Sequence, residues 1–397
     1  MGLLAVDPRT ADSMTPMDSD SLEQQADRAA GAGDFASARA SLEQAVASDG
    51  ANAGLWAKLS AMRKASGDAQ GALDALDRAL AINPLDFSVL LSRALILERI
   101  GDPLAANEFG NALAQAPADD DAPPPMRAAI AHARAVWSAH QAKTEAHLSR
   151  AIPAGLSDFE RTAVERFIAN RTRRTRHFDQ QPSDFQYPGL PAIEFHDRIL
   201  FPELDALEQQ TDAIRGEFEA LIAAEAAEMV PYIQYPERVP LRQWAELNQN
   251  RDWTAIHLLQ NGARVEANAR HCPKTMAAIA PLPQPSVPGA SPNAMFSLLA
   301  PRTRIPPHTG VANTRLVCHL PLIVPDGCGF RVGDSVREWR PGEAFVFDDT
   351  IEHEAWNDSD ELRVVLICDL WPPALSPAAR DAVAAVIAAV GVSFKGV

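Results

Sequence analysis

The chain reads as a multidomain α + β protein, with an N-terminal array of α-helical repeats followed by a β-rich domain carrying flanking helices. Three observations predict this. Gly33-Asp34, Gly67-Asp68 and Gly101-Asp102 recur every 34 residues. Past Trp253 the texture changes to short apolar runs punctuated by Gly and Pro turns. At 397 residues the chain has room for two or three domains.

Residues 1–19 mix Pro, Asp, Ser and Met without periodicity and are expected to be disordered. Residues 20–118 hold the repeats. Each Gly-Asp pair is followed at one offset by an alanine, Ala38, Ala72 and Ala106. A period of 34 is that of tetratricopeptide (TPR) helix–turn–helix units. Gly supplies the turn, the small Ala lets the second helix approach its neighbour, and Pro84 and Pro117 stop one helix and start the next. Residues 119–180 connect: 119–125 (DDDAPPP) read as a semi-rigid linker. Helices are expected over 126–152 and 158–174, either capping the array or packing on the next domain. Residues 181–397 form the β-rich domain. It opens with an amphipathic helix over 201–228, with Leu204, Leu207, Ile214 and Phe218 on its apolar face. Strands are predicted over 254–259, 294–299, 314–324, 329–332, 343–347 and 362–370, and short strands of this kind favour a closed or sandwich-like architecture. Ser376-Pro377 then opens a last helix to about Val390.

The net charge of −16 argues against nucleic acid or an anionic membrane as partner, since both demand clustered Lys and Arg. With no basic-then-apolar leader and no apolar run of spanning length, the expected location is cytoplasmic. Cys272, Cys318, Cys328 and Cys368 form no CxxC pair and are expected to be reduced, small apolar residues.

The chemistry gathers around His308, in Pro307-His308-Thr309-Gly310, and His353, in Ile351-Glu352-His353-Glu354, with Arg363 ten residues on. Two imidazoles plus a downstream arginine suit an iron(II) oxygenase that uses 2-oxoglutarate. Nitrogen ligands hold the metal and the planar guanidinium clamps the far carboxylate of the co-substrate. Such sites usually take an acid two residues after the first His, where this chain has Gly310. On the strand 315–323, alternation puts Arg315, Val317, His319 and Pro321 on one face. Two basic side chains facing an interior cost several kcal/mol unless an anion satisfies them, and a bound dicarboxylate would.

These residues also carry a family resemblance. The run from Trp253 to Trp371 resembles the catalytic domain of the aspartyl/asparaginyl β-hydroxylases, 2-oxoglutarate-dependent dioxygenases with a double-stranded β-helix (cupin or jelly-roll) fold. Three blocks carry it: Asn250-Arg251-Asp252-Trp253 followed by Pro273-Lys274-Thr275; Ser297 through His319; and Phe347 through Trp371. That family also has Gly where the acid is missing. The resemblance implies Fe(II) on His308 and His353, and 2-oxoglutarate held by Arg363, Ser297 and His319 beside Trp253. It places Arg270 and Lys274 near the substrate entrance, where they or Arg315 would meet a substrate carboxylate. Many members have Arg where this chain has Val317. Asp348, Asp349, Glu352 and Glu354 are expected to orient the imidazoles by hydrogen bonds. The implied activity is hydroxylation of an unactivated C–H, at the β-carbon of Asp or Asn in a peptide or on a small acid, with the repeats recruiting a protein client. Two alternatives stand beside it. One is an iron and 2-oxoglutarate halogenase, with chloride in the place of the missing acid; the other is a TPR adaptor whose oxygenase domain is inactive.

Overall fold

The computed structural model describes residues 18–118, 122–236, 238 and 240–390. Two compact units emerge, one holding residues to 155 together with 167–174, the other 156–166 with 175 onward. The expected disorder over 1–19 falls outside the described residues as far as 17. Asp18 already caps a helix that begins at Ser19, accepting from the Ser21 amide at 2.8 Å.

The first unit is built from α1 (Ser19–Gly31), α2 (Phe35–Ser48), α3 (Ala53–Ala65), α4 (Ala69–Ile82), α5 (Phe87–Arg99), α6 (Ala105–Leu113) and α7 (Pro124–Ser149). The first six helices pair into three helix–turn–helix units. Each turn carries its glycine at positive φ, +80°, +81° and +73° at Gly33, Gly67 and Gly101, a conformation that costs other residues a clash at Cβ. The paired aspartates do work the period alone did not reveal. Asp34 and Asp68 cap α2 and α4, accepting from Ser37 N at 3.0 Å and Gly71 N at 2.9 Å. Ala38 and Ala72 are fully buried. The third unit departs from the period: Pro103 follows Asp102, the helix starts only at Ala105, and Ala105 rather than Ala106 takes the buried place. The linker reading needs correcting at Pro124 and Pro125, which open α7, because the first turn of a helix needs no amide donor; 119–121 lie outside the described residues. Ala133 of α7 packs on Phe109 and Ala112 of α6. α8 (Asp158–Arg171) is divided between the two units.

The second unit begins its ordered core with α9 (Leu204–Glu208) and α10 (Thr211–Ala223). The single predicted helix is thus broken at Gln209-Gln210, yet Leu204, Leu207, Ile214 and Phe218 are all buried as predicted. There follow β1 (Val230–Pro231), β2 (Trp253–Gln260), β3 (Ala263–Arg264), α11 (Glu266–Ala269), α12 (Pro273–Ile279), β4 (Ala294–Leu299), β5 (Thr303–His308), β6 (Leu316–Ile323), β7 (Cys328–Val332), β8 (Ser335–Arg337), β9 (Phe345–Phe347), β10 (His353–Asn357), β11 (Arg363–Leu370) and α13 (Pro377–Val390). They form two antiparallel sheets. One runs β1-β2-β4-β11-β6-β9 with β3 beside β2; the other runs β5-β10-β7-β8. Alternation sorts the large sheet as expected. Leu316, Cys318 and Leu320 join a core with α9, α10 and α12. On the other face Trp253, Ala255, Met295, Val317 and Val365 meet Ile305, Phe330, Val332 and Ala355 of the small sheet. The sheets therefore face each other across this second core.

Two strands that sequence reasoning missed carry the histidines. β5 contains Pro306 and Pro307, but it lies at the edge of the small sheet, where a missing amide donor is tolerated. β10 alternates inward His353, Ala355 and Asn357 with outward Glu354 and Trp356, and its inward residues are not large and apolar. The four cysteines are free thiols, all but Cys328 buried. Among the described residues no helix is long and apolar enough to cross a membrane.

Candidate active site

β5 and β10 pair with His308 directly opposite His353, so the two imidazoles meet with ring centroids 4.0 Å apart. His308 Nδ1 lies 2.8 Å from the Pro306 carbonyl and His353 Nδ1 lies 3.0 Å from that of Ile351. A carbonyl only accepts, so both Nδ1 atoms carry the proton and donate it. Both Nε2 lone pairs are left unclaimed. Burial, reinforced by the neighbouring imidazole, pushes His308 well below the usual histidine range, and burial brings His353 down to about 4. Both rings are neutral at physiological pH, the state a metal ligand requires.

The four nearby acids do not orient these rings, contrary to expectation. Asp348 accepts from Thr350 and Gln180, Glu352 from Arg176 and Arg331, and Glu354 from Arg331. The backbone carbonyls do the orienting. Asp349 has a different place: a Cβ added to Gly310 would lie 2.2 Å from its Oδ2. The room vacated by an acid at 310 is therefore filled by the Asp349 carboxylate, which is paired with Arg315 Nη2 at 3.0 Å while its Oδ1 is buried without a donor. Among the described residues no group of three or more His, Cys, Asp or Glu could hold a metal ion. A cation here would rest on two imidazoles.

The facing wall belongs to the large sheet. Arg363 on β11 is 2% exposed, and no ion pair joins it to a carboxylate among the described residues. Its Nη1 donates to the Ser297 carbonyl at 3.3 Å, its guanidinium lies 4.8 Å above the Trp339 ring, and its Nε has no acceptor. Burial draws it from 12.5 to about 10, a measure of how unfavourable an unmatched cation is there. Ser297 Oγ accepts from Trp253 Nε1 at 3.1 Å. His319 on β6 has the opposite tautomer to the other two. An indole only donates, so Trp339 Nε1, 3.2 Å from His319 Nδ1, leaves the His319 proton on Nε2. Burial, then the Arg363 charge, keeps this ring neutral as well.

His308, His353, Trp253, Ser297, His319 and Arg363 all line one cavity of about 710 Å³, counting its solvent-open part. Val317 lines it too, so the position where the family resemblance leads one to expect Arg is here apolar. Arg315 also reaches the cavity, but Asp349 and Asp369 at 3.0 and 3.3 Å match its charge, and it is not a free anion receptor. Arg270 and Lys274 are not brought to it. They are exposed beside Cys272, whose side chain packs in the helix-covered core on the opposite face of the large sheet. Sequence reasoning missed Trp339, Tyr232, stacked on Trp253 at 3.8 Å, and Trp244, 4.9 Å from His308. None lies in a motif; only their aromatic character in the right segment could have flagged them.

The two antiparallel sheets thus bring a pair of neutral imidazoles on one wall of the cavity to face a buried arginine on the other. The sequence profile for aspartyl/asparaginyl beta-hydroxylases matches residues 208–373, which contain all the cavity residues named above. This segment, rather than the whole chain, is thus similar to the aspartyl/asparaginyl β-hydroxylase family. Similar proteins include the ornithine lipid ester-linked acyl 2-hydroxylase of Rhizobium tropici, 34% identical over 49% of this chain and 66% of that one. Human aspartyl/asparaginyl beta-hydroxylase is 34% identical over 35% of this chain and 18% of its own. Human aspartate beta-hydroxylase domain-containing protein 2 is 31% identical over 51% and 54%. The chain thus spans less than two thirds of each of these relatives. Matching solved structures include the Arabidopsis OM64 TPR domain, with 20% identity over 31% of this chain and 95% of that one at a TM-score of 0.27. MamA is 21% identical over 29% and 66%, at a TM-score of 0.25.

Proposed function

We propose that the second unit is an Fe(II)- and 2-oxoglutarate-dependent dioxygenase that hydroxylates an unactivated C–H, its two sheets forming a double-stranded β-helix. The observation that carries this reading is Arg363, a buried guanidinium with an unpartnered Nε and no ion-paired carboxylate among the described residues. Such a group is stable in an apolar wall only if a ligand brings the anion. Arg363 would hold the distal carboxylate of the keto acid, with the Ser297 hydroxyl beside it and His319 offering its Nε2 proton. His308 and His353 would present their Nε2 lone pairs to iron(II). Bound there, the metal and keto acid would supply oxidation by dioxygen, with succinate and carbon dioxide as co-products. Trp253 and Tyr232 line the cavity and Trp244 packs 4.9 Å from His308, so the three rings would shield the imidazole pair from water.

Asp349 weighs against the halogenase alternative, because a carboxylate already fills the space at Gly310 and would repel chloride. The neutral ligand pair and Arg363 weigh against an inactive domain. The names of the relatives point to a β-carbon of Asp or Asn and to carbon 2 of an acyl chain, both one bond from a carbonyl. A C–H next to a carbonyl is therefore the proposed target. Tetratricopeptide-type arrays present a concave groove to peptides, and recruitment of a protein client is the proposed role of residues 19–113.

The test is an anaerobic titration of the full chain with iron(II) and then 2-oxoglutarate. A visible charge-transfer band that saturates at one equivalent, is lost in His308→Ala and His353→Ala, and is followed by succinate release on exposure to air is the expected result. No metal binding, or binding that survives both substitutions, overturns the reading.

A further inference from the structure

Beyond Arg315 lies a second chamber of about 420 Å³, counting its solvent-open part. Asn293 and Arg315 line both cavities, so the two adjoin at this polar collar. The collar is held firmly by Asp369. Its Oδ2 accepts from Ser291 Oγ at 2.5 Å and from Asn293 N and Nδ2, both at 2.9 Å, and its Oδ1 faces Arg315 Nη1 at 3.3 Å. Past the collar, where Ser291 and Thr314 add two hydroxyls, the walls are mainly apolar, made of Val287, Ala290, Val311, Ala312, Trp371 and Ile387 with Pro285. Most of them belong to a small core separate from the two main ones, assembled by α13, Trp371 and the loops around 287–290 and 311.

None of those side chains ionises, and the one cation at the collar is already matched by two aspartates. A charged or strongly hydrated group entering this chamber would lose its water without a replacement partner. A methylene chain would lose only unfavourable hydration. We propose that the chamber is a tail subsite continuous with the catalytic cavity, and that the prime substrate carries an unbranched aliphatic chain. Its reacting C–H lies at the two-histidine wall, its polar group meets the Asn293–Arg315 collar, and its chain fills the space under α13. The substrate class is then an aliphatic amphiphile, such as an acylated amine or ester, rather than the acidic side chain of a folded polypeptide. This deepens the hydroxylase reading and rests on it.

The test is calorimetric titration of the full chain, loaded anaerobically with iron(II) and 2-oxoglutarate, with N-acylglycine amides of two to twelve acyl carbons. Each added methylene should tighten binding by roughly fourfold until the chamber is full, after which affinity levels off. Ala290→Phe and, from another wall, Ile387→Phe should bring that plateau to shorter chains, while the shortest ligands and 2-oxoglutarate bind as before. Affinity independent of chain length in the unaltered protein overturns the proposal, as does a plateau unmoved by both folded variants. The two readings fail separately. Loss of 2-oxoglutarate binding with chain-length dependence intact would sink the hydroxylase reading alone; normal 2-oxoglutarate binding with a flat chain-length series would sink the tail subsite alone.

Discussion

Arg363→Met removes a guanidinium that is 2% exposed while keeping an unbranched side chain to fill the space. Burial lowers this arginine from 12.5 to about 10, which corresponds to about 3 kcal/mol against the charged form in the empty protein. The compensating contacts are modest. The bond to the Ser297 carbonyl is long, 3.3 Å, and worth about 1 kcal/mol; the stack on Trp339 at 4.8 Å contributes about 1 kcal/mol more. The apoprotein should therefore be stabilised by about 1 kcal/mol, a rise of about 2–4 °C in the melting of the second unit. Binding of 2-oxoglutarate should move the other way. Deleting one partner of a desolvated, charge-assisted pair costs about 2–5 kcal/mol, so affinity should fall on the order of a hundredfold or more. Differential scanning calorimetry of the apoprotein and anaerobic calorimetric titration with 2-oxoglutarate read the two effects. An arginine with a purely structural role predicts the reverse pattern, a lower melting temperature with unchanged ligand affinity, and that outcome would refute the reasoning.

Other substitutions follow from the same geometry. His308→Ala or His353→Ala halves the ligand set, and iron(II) affinity measured with a competing chelator should drop by at least about tenfold to a hundredfold. Trp339→Phe removes the donor that fixes the His319 tautomer; it should raise the 2-oxoglutarate KM by about tenfold and leave iron affinity alone, and a shift in both would count against a role confined to His319. Gly310→Asp should fail to add a metal ligand on its own because its Cβ would meet Asp349 at 2.2 Å, whereas Gly310→Asp combined with Asp349→Ala should bind iron(II) more tightly than the unaltered protein. Burial lowers His257, a β2 residue that is not among those lining the cavity, to about 4. The unfolded chain then takes up its proton first, so stability is complete above about pH 6.5 and declines toward pH 4, by up to about 1.4 kcal/mol per unit. His257→Gln should flatten that slope in denaturant titrations; identical slopes would assign the acid sensitivity elsewhere, with His196 the next group to replace.

The helical array was legible because its signals are local. A glycine at positive φ, an aspartate cap and a buried alanine each act within one turn of chain, so their recurrence exposes the unit. Pro103 hid a two-residue delay in the start of α6 for the same reason, since its effect is local and breaks the period. In the second unit, β6 and β11 were legible from continuous apolar runs, but β5 and β10 were not. Prolines and inward polar residues erase the alternation that marks a strand, and here they do so because the inward positions serve the site. Arg270 and Lys274 were misplaced by their nearness in sequence to a matched block. They fall on the exposed side of α11 and α12, a matter of which sheet face those helices cover, and no local signal states that.

The charge balance of the cavity gives a reason for the glycine at 310. Asp349 and Asp369 carry two formal negative charges, Arg315 and Arg363 two positive ones, and the three histidines none, while Glu354, which also lines the cavity, is paired with Arg331. On the proposed reading a dication and a dianion enter together and also cancel. An acid at 310 would leave one buried negative charge unmatched beside a carboxylate already pushed upward in pKa by burial, and like charges at that range each resist ionisation. A conventional acid ligand therefore requires either that Asp349 leave or that Arg315 be freed to serve both, which is why the paired substitution at 310 and 349, rather than the single one, is the informative experiment.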